Sequence, residues 1–363
     1  MAKKKPASST DLRSLRSRVK KLDGELVKLL AERRDAVAAL LERETGGSLV
    51  EQLLADEARL AALAKGDAEL EAVLREVMAV ERNAHQRVRV AYLGPENTFS
   101  HQAAAHRFGS SATLTPVGSI AAVFEAVGRG DCEFGVVPLE NSTDGRVSDT
   151  LECFSNTSAR ICGELPLRIH HCLLGTGERS EVKQVLSKPQ ALSQCRSWLA
   201  KHLPQAEPRP VSSTADAAKQ AKKDTQIAAI ASERAGRQMG LALLAKNIED
   251  QQDNITRFAV IGAEAAAPSK KNGTGTDKTA LMFEMPHQPG ALADAMGVFK
   301  RAQLNMTWIE SFPIPGQRGS YRFFVEFEGH QTELRPRRAI TSLQKKATRL
   351  DVLGSYPVTE PID

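Results

Sequence analysis

The sequence predicts a multidomain chain: an all-α domain at residues 10–88, a two-lobed α/β domain at 89–262 and a small βαββαβ domain at 277–363. Three observations predict this. Leucine and valine recur at heptad spacing between Leu12 and Leu40, as in a long helix with one apolar face. From Val88 the period changes, and short apolar runs ending in Gly, Pro, Ser or Thr alternate with helical stretches. Residues 265–276 are rich in Ala, Lys, Gly and Thr and read as a linker. A length of 363 residues fits two or three domains better than one.

Composition narrows the function classes. Apolar residues make up 41% and charged residues 26%, as in an ordinary globular protein. The formal charge of +5 owes much to Lys3, Lys4 and Lys5 in a basic tail; the balance that remains argues against a nucleic-acid partner. No apolar run is long enough for a membrane span and no signal-peptide pattern is present, so a cytoplasmic protein is expected. Cys132, Cys153, Cys162, Cys172 and Cys195 are odd in number, lack CxxC spacing and read as reduced core residues. His170-His171-Cys172 is a poor metal chelate, because neighbours on a strand point to opposite faces. No metal site is expected.

In the first domain, Thr10 or Asp11 is a suitable N-cap for the long helix. Its stripe is Leu12, Leu15, Val19, Leu22, Leu26, Leu29, Ala36 and Leu40. Arg33 falls in the same seam and needs a partner, either a carboxylate such as Glu57 or an anionic ligand. Two more helices follow, at about 50–65 and 67–87. Three helices of this length cannot close a large core alone, so a homodimer or higher homo-oligomer is expected. Leu15-Arg16, Leu22-Asp23, Glu32-Arg33 and Glu57 resemble the all-helical chorismate mutase family. The resemblance implies Arg16, Arg33 and Glu57 as substrate-binding residues and chorismate as the substrate of this domain. Glu44, Asp56, Glu81 and His85 depart from the family, which has Lys, Arg, Ser and Gln there, although Gln86 is one residue away. Acidic side chains in place of cations repel a dicarboxylate, so the expectation is weak mutase activity or none, with the domain kept for dimerisation.

In the second domain, four polar junctions follow strands: Thr98-Phe99-Ser100, Glu140-Asn141-Ser142-Thr143, Ser212-Ser213-Thr214, and Ser232. Each is read as a hydroxyl residue at a helix N-terminus, where free backbone N–H groups attract anions. The lobes are expected at about 89–166 plus 245–262, and at 167–244, with the chain crossing near Leu165 and Leu244. That is the layout of periplasmic-binding-protein-like folds, and it puts Thr256 at the hinge. Within Asp253-Asn254-Ile255-Thr256-Arg257-Phe258, a hydroxyl lies beside a guanidinium that can grip a carboxylate with two bonds. Together these point to a small acid as ligand.

This segment is identified as a member of the prephenate dehydratase family. Gly94-Pro-Glu-Asn-Thr-Phe-Ser100, Gly135-Val-Val-Pro-Leu-Glu-Asn-Ser142, Ser213-Thr214, Ala228-Ala-Ile-Ala-Ser232, Asn247-Ile-Glu-Asp250 and Asn254-Ile-Thr-Arg-Phe258 carry the resemblance. Asn97 stands where Gly is more usual, and Lys188 where the family has His. The resemblance implies loss of carbon dioxide and water from prephenate, driven by aromatisation, with no metal or cofactor. It implies Thr256, Arg257 and Phe258 as catalytic residues. It also implies Thr98, Phe99, Ser100, Glu140, Asn141, Ser142, Ser213, Thr214 and Ser232 as substrate-binding residues. Thr256 would hydrogen-bond the departing oxygen and Arg257 a carboxylate. Two other readings stay open: an arogenate dehydratase, and a non-catalytic amino-acid sensor.

The third domain reads β (278–285), α (291–302), β (304–312), β (320–327), α (334–347), β (350–356), a ferredoxin-like order. Gly290-Ala291-Leu292 and Glu310-Ser311-Phe312-Pro313, with Asn305 upstream, resemble the effector motifs of ACT regulatory domains. The resemblance implies that Gly290, Ala291, Leu292, Asn305, Glu310 and Ser311 bind L-phenylalanine at a dimer interface. Phe312 stands where the family usually has Arg, which removes one cation from that site.

Overall fold

The computed structural model describes residues 9–43, 48–269, 277–314, 316, 317 and 319–362. Glu44 lies outside the described residues, as does most of the linker. The helical domain holds α1 (Ser9–Arg43), α2 (Leu49–Ala64) and α3 (Ala68–His85). Ser48 and Asp67 cap α2 and α3 by accepting from the first backbone N–H groups. Thr10 and Asp11 lie inside α1, which starts at Ser9, so neither is its N-cap.

The α/β region continues with β1 (Arg89–Leu93), α4 (Phe99–Phe108), β2 (Thr113–Val117), α5 (Ile120–Gly128), β3 (Phe134–Asn141), β4 (Gly145–Arg146), α6 (Ser148–Cys153) and β5 (Arg160–Arg168). The second lobe holds β6 (Cys172–Gly175), β7 (Gln184–Ser187), α7 (Pro189–Gln194), α8 (Arg196–His202), β8 (Glu207–Pro210), α9 (Thr214–Ala221), β9 (Ile227–Ala231), α10 (Glu233–Met239) and β10 (Ala242–Ala245). The chain then returns through β11 (Ile255–Gly262). The first sheet has the order β2-β1-β3-β11-β5, with β4 paired to β3, and the second β10-β6-β9-β7-β8. The lobes therefore join at 169–171 and 246–254. The outward crossing is later than expected, because Leu165 is still inside β5.

The C-terminal domain holds β12 (Asp277–Glu284), α11 (Ala291–Ala302), β13 (Met306–Pro313), β14 (Tyr321–Glu328), α12 (Leu334–Gln344) and β15 (Arg349–Pro357). Its antiparallel sheet runs β13-β14-β12-β15, so the expected βαββαβ order holds. This sheet lies against the first lobe, and one apolar cluster runs through both: Val137, Ile161 and Ala259 pack with Ala280, Met282, Phe312, Phe324 and Tyr356. Phe312 is therefore a core residue of the contact between domains, where an Arg would be buried without water. Gly354 permits the close approach, since a Cβ there would run into the Ile161 backbone carbonyl. Beyond β15 the chain returns to the first lobe, where Ile362 bridges to Leu167 and covers the edge of β5.

The helical domain docks on α4 and the turn after it, with Val50 and Leu53 buried in the first lobe's core and polar contacts around them. Glu57 pairs with Arg107, whose side chain is almost fully buried. Arg75 meets His106 at 2.8 Å, and Glu76 accepts from Ser110 at 2.7 Å. Burial lowers the Arg107 pKa to about 10 and the His106 pKa to about 3, the latter helped by Arg75. No helix among the described residues is long and apolar enough to cross a membrane.

Candidate active site

The cleft between the lobes holds a cavity of about 270 Å3. Leu93, Thr98, Phe99, Ser100, Asn141, Thr256 and Phe258 line it from the first lobe, and His171, Lys188, Gln190, Gln194 and Thr214 from the hinge and second lobe. Seven of the expected site residues thus meet in one place: Thr98, Phe99, Ser100, Asn141, Thr214, Thr256 and Phe258.

Strand geometry explains the selection. On β11 alternate residues face opposite ways, so Thr256 and Phe258 face the cleft while Arg257 and Ala259 face the C-terminal sheet. Thr256 pairs in register with Asn141, and Arg257 with Glu140. Asn141 therefore lines the cleft and Glu140 does not. Arg257 is not a cleft cation. Its guanidinium bonds Glu140 at 2.9 Å, Glu164 at 2.9 Å and Glu326 of β14 at 2.8 Å, and stands 5.4 Å over the Trp308 ring. Burial opposes its charge, but Glu326 and its neighbours outweigh that and raise its pKa above the ordinary value.

Other expected residues are also placed differently. Ser142 caps no helix: its hydroxyl donates to the Asp253 carbonyl and accepts from the Ile255 N–H, pinning the start of β11. The helix after it, α6, has Val147 at its N-cap position and no side-chain cap. Ser213 and Ser232 do cap α9 and α10, but they are buried there and do not line the cavity. Thr98 caps α4, which aims that helix start at the cleft. Asn97 has a φ of +68°, the left-handed region that glycine enters most readily and Asn next. Its place in a glycine position is thus conformationally sound.

The Thr256 end of the cleft is tied down by amides. Asn141 Nδ2 donates to Thr256 Oγ1 at 2.8 Å and to Asn254 Oδ1 at 2.9 Å. Asn141 Oδ1 accepts from the backbone N–H groups of Thr143 and Asp144 at 3.0 Å each, which fixes the amide orientation. Thr256 therefore accepts from Asn141 and keeps its own proton to donate. Gln194 extends the network: its Oε1 accepts from Asn254 at 3.1 Å and bonds His171 Nε2 at 2.8 Å, and its Nε2 reaches Asp144 at 2.8 Å across the cleft. Burial lowers the His171 pKa and favours the neutral ring. Lys188 is the one cationic side chain among the lining residues. Gln190, Gln194 and His171 have no place in the sequence-based site. Gln190 and Gln194 share one face of α7 at i, i+4 spacing, the signal that could have found them.

In the helical domain, Arg33 pairs with Glu81 rather than with Glu57, and Arg82 pairs with Asp56 at 2.7 Å. Glu57 is engaged by Arg107. Arg16 is exposed. In the C-terminal domain, Gly290 opens α11 with a φ of +82°, followed by buried Ala291 and exposed Leu292. Asn305 bonds Glu328 at 2.8 Å, while Glu310 and the Ser311 carbonyl both take Arg146 of β4.

Residues 90–266 match the family model described as prephenate dehydratase. The chain is 38% identical to a bifunctional chorismate mutase/prephenate dehydratase of Pseudomonas aeruginosa over 97% of its length and 99% of the relative's. It is 37% identical to the Aquifex aeolicus protein of the same description over 96% and 98%. Among solved structures it resembles prephenate dehydratase of Arthrobacter aurescens in complex with L-Phe, with a TM-score of 0.68 and 33% identity over 74% of this chain and 90% of that one. The chain belongs to the bifunctional chorismate mutase/prephenate dehydratase family.

Proposed function

We propose that the interlobe cleft converts prephenate to phenylpyruvate, carbon dioxide and water. The observation that carries this reading is the Asn141–Thr256 pair, which leaves a hydroxyl proton free to donate inside the cleft. In the reaction the ring carboxylate leaves as carbon dioxide, its bonding electrons enter the ring, and the C–O bond opposite breaks to release hydroxide, which takes a proton to become water. Thr256 donates a hydrogen bond to that oxygen as charge builds on it. The N-terminal N–H groups of α4 and α9 and the Lys188 ammonium hold the carboxylates. Neither Arg257 nor Glu140 touches substrate in this reading. The test is phenylpyruvate formation by Thr256→Ala, with turnover expected to fall about 10²- to 10³-fold, the loss typical of one transition-state donor. Parent-level turnover would sink the assignment. Arogenate as a parallel substrate separates the arogenate reading, and turnover of either acid rules out a sensor.

The C-terminal domain is read as an ACT module that senses L-phenylalanine across a dimer. The helical domain is read as a docking and assembly element with weak chorismate turnover. Arg33 and Arg82 are already paired with Glu81 and Asp56, so a dicarboxylate would have to compete with these carboxylates for both cations. Robust chorismate consumption by the whole chain, abolished by Arg33→Ala, would overturn that part.

A further inference from the structure

We propose that Glu326, on the C-terminal domain, is a positioning residue for the dehydration and acts through Arg257 to hold Thr256 and Asn141 in register. The inference rests on the proposed role of Thr256. It begins with two adjacent pairs on neighbouring strands. Asn141 and Thr256 face the cleft; Glu140 and Arg257, next to them in sequence, face the other way. The 2.8 Å contact of the cleft pair and the pair behind it share the same two stretches of backbone, so a shift of one moves the other.

On the β5 side β11 keeps its register from Ile255 to Val260, but on the β3 side, where Asn141 and Glu140 sit, the ladder is interrupted. The register of β11 against β3 shifts between Arg257 and Phe258, so Phe258 faces Pro138 instead of the next residue in step. Such a bulge beside a site bends the strand and frees the local pairing. Side chains take over the task there. Arg257 reaches Glu140 on one neighbouring strand, Glu164 on the other and Glu326 from the C-terminal sheet, with Trp308 of β13 beneath its guanidinium. Glu326 is fully buried and holds one orientation because the Tyr356 hydroxyl donates to it at 2.6 Å. Lys278 of β12 also reaches Glu164, at 3.3 Å. Several strands of the C-terminal domain thus converge on the residue beside Thr256, far more polar machinery than apolar docking needs.

The experiment uses the full chain and measures kcat, KM for prephenate and thermal stability. Glu326→Gln keeps the shape and still accepts from Tyr356, but it offers an amide instead of a negative oxygen to Arg257. Its kcat should fall about 10- to 100-fold with KM little changed, as for a small misplacement of a reacting group. Tyr356→Phe, a milder change, should lower kcat in the same direction by less. Phe283→Leu, in the separate core of the C-terminal domain, should lower the melting temperature and leave kcat unchanged below the transition. Glu326→Gln added to Thr256→Ala should cost nothing further, since Glu326 acts only through Thr256. The proposal fails if Glu326→Gln melts earlier at parent kcat while Thr256→Ala is inactive, or if the two losses simply multiply. Should Thr256→Ala itself retain full activity, the proposed function falls first and this inference with it.

Discussion

Helix α1 and the C-terminal sheet both present apolar residues at regular spacing, yet among the described residues the sheet buries its face and the α1 stripe stays exposed. Leu12, Leu22 and Leu29 remain 50%, 52% and 61% exposed, whereas Met282, Phe324 and Tyr356 are buried against the first lobe. The difference teaches what each interface is for. The C-terminal sheet closes on a face of the catalytic lobe and adds buried charge behind the reacting strand. The α1 stripe stays exposed among the described residues, and a second copy of the same chain, packing its own stripe there, is the proposed occupant. A third contact lies between these extremes: α2 and α3 dock on the first lobe through buried Val50 and Leu53 and through ion pairs, with Arg107 buried and Glu57 at the rim.

Three experiments would break or sharpen this comparison. The largest effect is expected from Gly354→Ala, because the new Cβ meets the rigid backbone of Ile161. A loss of about 3 kcal/mol is anticipated for such overpacking, read from denaturant unfolding. An unchanged midpoint would mean that the two sheets can slide apart without cost. Next comes Glu57→Leu, which strands the Arg107 charge and should cost about 2 kcal/mol; adding Arg107→Met should recover most of it, since a buried pair can be replaced by apolar groups at little cost. Dehydration kcat should stay at the parent value in both. A kcat change would show that the helical domain reaches the cleft after all. The smallest effect on chain stability is expected from Leu22→Lys with Leu29→Lys, within about 0.5 kcal/mol per site because both positions are exposed in the single chain. Their effect belongs to assembly: sedimentation should show a smaller mass than the parent's. An unaltered mass would assign the stripe to some other role.

Much of the site is legible in the chain itself. Thr98, Asn141 and Thr256 are readable from their motifs, and the caps at Thr98, Ser213 and Ser232 from strand-to-helix junctions. The misplaced residues share one cause. Arg257 suits a substrate carboxylate by its chemistry, and the folded chain gives it three carboxylates of the protein instead. Glu140 and Ser142 adjoin Asn141 in sequence, but strand alternation turns Glu140 away from the cleft and the hairpin turns Ser142 to Asp253. Arg33 needs a partner, as its place in an apolar seam demands, but the partner is Glu81, on a helix whose rotation no local pattern reports.

By itself, the sequence determined the helices of the first region, the βαββαβ order of the last, the caps at Thr98, Ser213 and Ser232 and the motif that holds Thr256, because periodicity, capping and turn chemistry act over a few residues. Only the tertiary structure decided which of two neighbours faces the cleft, which carboxylate takes each arginine, and why Phe312 sits in a core. These choices depend on strand register and on side chains brought together from distant positions, 69 apart for Arg257 and Glu326. Register is set by the whole sheet and by what packs on both its faces, and no stretch of the chain carries that information alone.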